Sequence, residues 1–100
     1  MSQYRVFVTS AAVKEIKALP GNMRQRVRRA ITELATQPRP SNSKLLEQEL
    51  TPREARRERI ENWRIVYVIS EDEFTIDVLG IRKRPPYDYA DLERLLDQFA

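Results

Sequence analysis

The stretch ARRERIENWRIVYVI, residues 55–69, decides the fold of this chain. Its second half is apolar and rich in β-branched and aromatic residues, which favours a strand. The polar pair Glu61-Asn62 interrupts it, and Asn tolerates the positive φ of a tight two-residue turn better than most residues. We therefore predict two antiparallel strands around Glu61-Asn62, with Ile60 opposite Trp63.

The same turn predicts a cluster of arginines. Arg59 then lies opposite Arg64, and directly opposed residues point to the same face of a sheet. Arg57 shares this face because it precedes Arg59 by two positions. In the next predicted strand, Arg82 and Arg84 share one face. Strand pairing is expected to bring these five cations together.

Hydrophobic patterns elsewhere predict the remaining elements. They are a strand at residues 4–9, helices at 11–19 and 23–35, a strand at 74–84 and a terminal helix that Asp88 caps. Residues 41–52 (SNSKLLEQELTP) are predicted to form a loop with room for one helical turn. The fold class is then α+β, in the order β-α-α-β-β-β-α, as one domain over residues 1–100. An antiparallel sheet carries a helical hairpin on one face, and a C-terminal helix follows.

The composition excludes several classes of function. The chain has no cysteine and no histidine, so disulfides, thiolate nucleophiles, serine–histidine catalysis and the usual zinc sites are ruled out. We therefore expect no metal and no cofactor. No apolar run reaches the ~18–20 residues of a membrane span, and no secretory signal is evident. A cytoplasmic location, away from any membrane, is expected.

The charge pattern has two interpretations. The net charge is only +3, but arginines cluster in RQRVRR, REARRER and RKR. Arginine binds phosphate well because its planar fork donates two parallel hydrogen bonds. However, Glu54, Glu58 and Glu61 lie near the cluster and could neutralise it within the fold. The residues alone leave an anionic partner and internal pairing equally open.

Aromatic residues accompany the arginines. Trp63 and Tyr67 lie in an apolar strand and are predicted to pack in the core. Tyr87 follows Pro85-Pro86 and precedes the helix cap, which predicts partial exposure. Proteins that read single-stranded RNA stack splayed bases on aromatic rings and arginine side chains.

Three segments together resemble the toxins of the RelE/ParE superfamily. They are YRVFVTSAAVKEIKAL (4–19), RRERIENWRIVY (56–67) and VLGIRKRPPYDY (78–89). The second resembles the strand–turn–strand of these toxins, and the third resembles the next strand of the RelE branch, where a glycine precedes an arginine and then a tyrosine. Each motif is short, but their joint order spans nearly the whole chain.

The resemblance implies roles for individual residues. It implies catalysis by Arg59, Arg64, Arg82 and Tyr87, and RNA binding by Arg57, Lys83, Arg84 and Tyr89. Arg64 matches the arginine that contacts the scissile phosphate, and Arg82 the one proposed to help the leaving group. Tyr87 and Tyr89 bracket the spacing of the family's tyrosine, and Tyr87 is preferred. The turn residues Glu61-Asn62 depart from the common glycine, and Ala55 stands where some relatives carry a catalytic lysine.

The resemblance also implies an activity and partners. RelE-like members cleave messenger RNA in the ribosomal A site, whereas ParE-like members poison DNA gyrase, and a small antitoxin holds each inactive. The expected function is therefore that of a type II toxin, a ribosome-dependent mRNA endoribonuclease that works without metal by 2′-hydroxyl attack. Its expected partners are a cognate antitoxin and the ribosome with mRNA in the A site. A ParE-like gyrase inhibitor and a non-catalytic or decayed RNA-binding member remain alternatives.

Overall fold

Five strands and two helices make up the described part of the molecule. The computed structural model describes residues 3–46 and 54–83. The elements are β1 (Arg5–Val8), α1 (Ser10–Lys17), α2 (Gly21–Glu33), β2 (Ser43–Leu45), β3 (Glu54–Ile60), β4 (Trp63–Ser70) and β5 (Thr75–Lys83). The strands form one sheet in the order β1-β5-β4-β3-β2. This α+β architecture agrees with the predicted fold class, and the predicted C-terminal helix lies outside the described residues.

The predicted hairpin register is confirmed. Ile60 pairs with Trp63 and Arg59 pairs with Arg64 across β3 and β4. The positive φ of the turn falls on Glu61, at 54°, rather than on Asn62. Two contacts hold Glu61 in this less favourable conformation: its carboxylate pairs with Arg26 of α2 at 2.6 Å, and its carbonyl accepts a hydrogen bond from Arg64 at 3.0 Å.

The sheet is antiparallel except at one edge, where β1 pairs parallel with β5. The predicted meander of β3, β4 and β5 is antiparallel as expected, and the parallel pair is where the N-terminal strand joins it. The strands from β2 to β5 pair in chain order and antiparallel, whereas both helices separate β1 from β2. No tight turn therefore fixes the direction in which β1 joins the sheet.

The predicted loop over residues 41–52 is wrong at Ser43–Leu45, which form the edge strand β2. This strand pairs antiparallel with β3, with Ser43 opposite Glu58 and Lys44 opposite Arg57. Pairing satisfies backbone groups that would otherwise leave β3 as an open edge. A strand of three residues shows too little alternation to be recognised from its own sequence.

The main core lies between the sheet and the two helices. Its buried residues are Ala12, Ile16, Leu19, Met23, Val27, Ala30, Ile31, Leu34, Ile65, Tyr67, Ile69, Ile76, Val78 and Ile81. Tyr67 is fully buried and donates its hydroxyl to the Pro38 carbonyl at 2.8 Å, while Trp63 packs half-buried against the same core. Both aromatic residues thus pack as predicted. Within the described chain, no helix is long and apolar enough to cross a membrane.

A smaller apolar cluster lies on the opposite face of the sheet. It consists of Leu46, Ala55, Val66, Val68 and Leu79, all buried. Ala55 is 2% exposed, so the position where some relatives carry a lysine is here part of a packed apolar cluster.

Candidate functional site

Strand β3 separates its charged residues onto two faces. Glu54, Arg56 and Glu58 are paired with β4 residues of the main core, so they share the face that the helices cover. Because successive side chains alternate along a strand, Arg57 and Arg59 emerge on the other face. We call this side the arginine face, defined by Arg57, Arg59 and Arg64.

On the arginine face, arginines from three neighbouring strands form a row. Arg64 of β4 pairs with Arg59 of β3 on one side and with Arg82 of β5 on the other. Adjacent strands are ~4.8 Å apart, and like charges placed directly opposite each other destabilise a sheet. The register thus places three of the predicted cations side by side, which calls for compensation by an anion or by reorientation.

Arg82 is compensated within the protein. Its guanidinium forms an ion pair with Glu15 of α1, and the other oxygen of Glu15 accepts a hydrogen bond from the Ile81 backbone at 3.0 Å. This contact is possible because β1 ends at Val8, opposite Val78, so that on this side no described strand pairs with the last part of β5. Arg82 is therefore drawn toward that edge of the sheet.

Gly80 makes room for this ion pair. A Cβ atom at this position would lie 2.8 Å from Arg82 Nη1 and 2.8 Å from Glu15 Oε1. Gly80 does not have a positive φ, so glycine is favoured here by its small size and not by its backbone conformation. The glycine two residues before Arg82 thus has a local structural explanation.

The other arginines converge on a cavity of about 350 Å³. The described residues that line it are Ser41, Asn42, Ser43, Lys44, Arg57, Arg59 and Arg64. Three of the predicted site residues therefore meet at one concave surface, and Arg82 is not among the described residues that line it. Lys44 was missed from the sequence, because its position opposite Arg57 depends on the unpredicted strand β2.

The three glutamates that could neutralise the cluster are engaged elsewhere. Glu54 binds Arg39 at 2.7 Å and Arg56 at 2.9 Å. Glu61 binds Arg26, and Glu58 lies on the helix-covered face. Among residues 3–46 and 54–83, neither Arg59 nor Arg64 forms an ion pair.

Arg64 is held by neutral partners. Its Nη1 atom donates to the carbonyl oxygens of Glu61 and Trp63, each at 3.0 Å. These bonds orient the side chain but leave its positive charge uncompensated, and a guanidinium has five N–H donors in total. Because arginine stays protonated at any physiological pH, the cavity keeps its positive potential.

Glu58 is a buried carboxyl next to the cavity wall. Burial raises its pKa, a hydrogen bond from Asn42 opposes this effect, and the charge of Glu33 adds to it. Its Oε1 atom has no hydrogen-bond partner among the described residues, and Oε2 accepts from Asn42 Nδ2 at 3.3 Å. From the sequence, Glu58 is expected only as a possible neutraliser of the arginines.

Of the remaining predicted residues, the structure describes Lys83, which lies apart from this cavity. Lys83 pairs with Trp63, so its side chain emerges on the helix-covered face and not on the arginine face. Arg84, Tyr87 and Tyr89 lie outside the described residues. In the part of the chain that the structure describes, no group of three or more acidic side chains is placed to hold a metal ion.

Solved structures with the same fold are toxins. The archaeal RelE–RelB complex from Pyrococcus horikoshii OT3 has a TM-score of 0.75 and 24% identity, covering 87% of this chain and 100% of that chain. The RelBE2 toxin–antitoxin complex from Mycobacterium tuberculosis has a TM-score of 0.69 and 26% identity, covering 84% and 94%. The isolated E. coli RelE toxin has a TM-score of 0.67 and 17% identity, covering 97% and 99%. The chain therefore has the fold of RelE toxins.

The sequence itself places the chain in a family. The model of the ParE toxin of the type II toxin–antitoxin system parDE matches residues 6–85. The chain belongs to this family of toxins, within the RelE/ParE superfamily. No curated protein sequence matches it.

Proposed function

We propose that this toxin is a ribosome-dependent endoribonuclease that cuts messenger RNA. The observation that carries the proposal is the cavity lined by Lys44, Arg57, Arg59 and Arg64. A concave site with this charge suits a phosphodiester, because arginine forks match the geometry of phosphate oxygens. The tertiary fold supports the same reading through its likeness to RelE structures.

The proposed reaction uses the RNA's own 2′-hydroxyl as the nucleophile. This oxygen attacks the neighbouring phosphorus, the bond to the 5′-oxygen breaks, and a cyclic phosphate and a 5′-hydroxyl result. Arg59 and Arg64 stabilise the extra negative charge on the phosphate as it passes through the transition state. Fixed cations in a site that partly excludes water do this without further reorganisation.

Arg82 has a conditional role in this scheme. Its neighbour in the sheet is Arg64, so its long side chain has the reach to approach the same phosphate, but Glu15 holds it at the edge of β5. We infer that RNA binding competes with Glu15 for Arg82. The leaving 5′-oxygen is the group that Arg82 then stabilises.

The acid–base groups remain predictions. Tyr87, or alternatively Tyr89, is proposed to stack on a base and move a proton, and both residues lie outside the described part. A phenol with an ordinary pKa near ~10 is a weak acid–base catalyst at neutral pH. Orientation of the RNA by the ribosome can supply roughly 7–11 kcal/mol of the barrier, which explains the proposed dependence on this partner.

A cognate antitoxin is proposed as the second partner. Related RelE proteins are solved in complex with RelB antitoxins. The described surface has a groove of about 340 Å³ where α1 and α2 meet β1, with Val13 and Ile31 among its apolar residues and Lys17 and Arg28 among its cations. An antitoxin segment with apolar and acidic side chains suits this groove. A cytoplasmic location, where ribosome and antitoxin both occur, completes the proposal.

Poisoning of DNA gyrase is a second candidate function, favoured by the match to the ParE toxin model over residues 6–85. One set of assays separates the two. Purified toxin is incubated with mRNA on translating ribosomes, with naked mRNA and with gyrase plus supercoiled DNA. We expect cuts in the ribosome-bound mRNA, little cutting of naked mRNA and unchanged gyrase activity. Inhibited gyrase with intact mRNA would instead establish the ParE-like function, and inactivity in all three assays would indicate a decayed member.

A further inference from the structure

The wall of the cavity formed by β2 carries a cation that the proposed chemistry does not use. We call residues 41–44 the β2 wall. Lys44 pairs with Arg57 in the sheet, so its side chain shares the arginine face. It is exposed and lines the cavity together with Arg57, Arg59 and Arg64.

The β2 wall is fixed to the strand that carries the arginines. Asn42 exchanges backbone and side-chain bonds with Arg59: its carbonyl accepts from Arg59 N at 2.9 Å, and its Nδ2 donates to Arg59 O at 2.8 Å. The same amide donates to Glu58 Oε2 at 3.3 Å. These bonds hold the wall and β3 in one geometry before any ligand arrives.

The turn that precedes Lys44 is also fixed. The backbone N–H and the hydroxyl of Ser43 both donate to the Pro40 carbonyl, at 2.9 and 2.7 Å. Arg56 Nε in turn donates to the Ser43 hydroxyl at 3.1 Å. Lys44 therefore projects from a supported segment, and its position relative to Arg57 is set by strand pairing.

The cations form two neighbouring rows along the strands. Arg59 and Arg64 make one row, and Lys44 and Arg57 make the next, two residues further along β3. Two residues of strand span about 6.6–6.8 Å. This separation is comparable to the distance between successive phosphates of an extended RNA strand, and the two rows therefore match two consecutive phosphates and not one.

We propose that the β2 wall is a second phosphate subsite, where Lys44 binds the RNA phosphate next to the one held by Arg59 and Arg64. This inference rests on the proposed RNA-cleaving function and adds to it a second contact with the RNA backbone. The RNA strand then runs obliquely over the sheet, along β3 from Arg59 toward Arg57 and at the same time toward the β2 edge. A lysine serves here as a point charge that binds a non-reacting phosphate and needs no bidentate geometry.

The experiment measures how RNA binding depends on salt. The probe is a single-stranded RNA of six nucleotides with 2′-O-methyl groups, which cannot be cut by 2′-hydroxyl attack. For single strands, each neutralised phosphate adds about 0.7 to the negative slope of log affinity against log salt concentration. The purified full-length variants are Lys44→Gln, Lys44→Arg, Arg64→Gln and, as a control on the helix-covered side, Lys14→Gln, an exposed residue of α1 that lines neither cavity.

We expect Lys44→Gln to weaken binding roughly tenfold, as the loss of a charge-assisted contact does, and to reduce the slope by about 0.7. Lys44→Arg should retain the wild-type slope, because the charge is kept, and Lys14→Gln should match the wild type. If Arg64→Gln reduces the slope but Lys44→Gln behaves like Lys14→Gln, the second subsite is wrong while the proposed function stands. If Arg64→Gln also leaves binding unchanged, the cavity is not the RNA site and both proposals fail.

Discussion

Two groups of arginines lie on opposite faces of one strand and differ in what surrounds their charge. On the helix-covered face, Arg56 binds Glu54, which also binds Arg39, and Arg39 binds Glu71 in turn. On the arginine face, Arg59 forms no ion pair with a described residue and contributes to the cavity instead. The alternation of the strand thus sorts one arginine-rich segment into a structural group, which is ion-paired, and a group that lines the cavity.

The difference teaches how a chain with so modest a net charge can present a strongly basic site. The glutamates of β3 occupy positions 54 and 58, which share a face with Arg56. Glu54 neutralises cations on that face, where it binds Arg39 and Arg56. Because neither glutamate shares the arginine face, that face stays basic. The paired group also joins distant parts of the chain, since Tyr4 donates its hydroxyl to Glu71 at 2.8 Å. The predictions below test whether the two groups are as separate as this comparison requires.

The largest expected effect follows from Arg64→Gln. Loss of one fixed donor to a charged transition state typically costs ~10²–10³ in rate, and we expect a reduction of that size in cleavage of ribosome-bound mRNA. The free energy of unfolding should change by less than about 0.5–1 kcal/mol, because the side chain bonds only two carbonyls at the surface. Rate and urea denaturation are measured on the same preparations.

The matched control for Arg64→Gln is Arg29→Gln, an exposed arginine of α2. It should leave both quantities at the wild-type value. If Arg64→Gln lowered the free energy of unfolding enough to explain its loss of activity, Arg64 would belong to the structural group.

Arg56→Gln should produce the reverse pattern. Its Nη1 binds Glu54 at 2.9 Å and its Nε binds Ser43 at 3.1 Å, in a partly buried position. We expect a destabilisation of about 1 kcal/mol, equivalent to a fall of roughly 4–8 °C in Tm for a domain of this size. Cleavage per folded molecule, measured below the thermal unfolding transition, should stay within about twofold of wild type. A factor of two in rate corresponds to a change of only ~0.4 kcal/mol in activation free energy. A loss of cleavage by orders of magnitude would remove the distinction between the two faces.

The pH dependence of stability should differ between the two carboxyls of β3. Burial raises the pKa of Glu58. Its contribution to the free energy of unfolding is therefore complete below about pH 4.5 and declines as the pH rises above that value. Hydrogen bonding from Arg39 lowers the pKa of Glu54, so its contribution is present above about pH 4.5 and declines as the pH falls. The slopes should each be a fraction of the ~1.4 kcal/mol per pH unit of one whole proton.

Urea denaturation from pH 3 to 8 checks these signs with Glu58→Gln and Glu54→Gln. Glu58→Gln should remove the decline in the free energy of unfolding above about pH 4.5, and Glu54→Gln should remove the decline below it. An unchanged profile in Glu58→Gln would mean that its carboxyl is not desolvated.

The smallest effect is expected from Gly80→Ala, which tests the intermediate case of Arg82. The added methyl group displaces the flexible ends of Arg82 and Glu15, while alanine gains roughly 0.5–1 kcal/mol over glycine in a strand. The net change in stability should therefore stay within about 1 kcal/mol. A double-mutant cycle that combines Gly80→Ala with Glu15→Gln is more informative. We expect Glu15→Gln to destabilise the wild type more than it destabilises the Gly80→Ala variant. Strictly additive changes would show that Gly80 does not serve this ion pair.

The parts of the site that a local pattern specifies could be predicted from the sequence. The two-residue turn at Glu61-Asn62 sets the pairing of Arg59 with Arg64, so the central row of arginines follows from the hairpin alone. The position of the positive φ did not follow, because Glu61 is held there by Arg26 of α2. Propensity favours asparagine, and tertiary contacts decide otherwise.

The parts that depend on distant contacts could not be predicted. Arg82 pairs with Glu15, which reaches it from α1 at the edge of β5 beyond the end of β1. Lys44 joins the cavity only because Ser43–Leu45 pair with β3, and three residues are too few to show strand periodicity. Lys83 was grouped with its neighbours in RKR, although adjacent residues of a strand point to opposite faces.

The central claim is that RNA phosphate binds the arginine face and not the ion-paired arginines behind it. Arginine side-chain Nε–Hε resonances, followed by NMR during titration with the six-nucleotide 2′-O-methyl RNA, test it directly. The account predicts that the resonances of Arg59 and Arg64 shift together with increasing RNA, while those of Arg39 and Arg56 stay in place. Shifts confined to Arg39 and Arg56, or none at either group at saturating RNA, would contradict it.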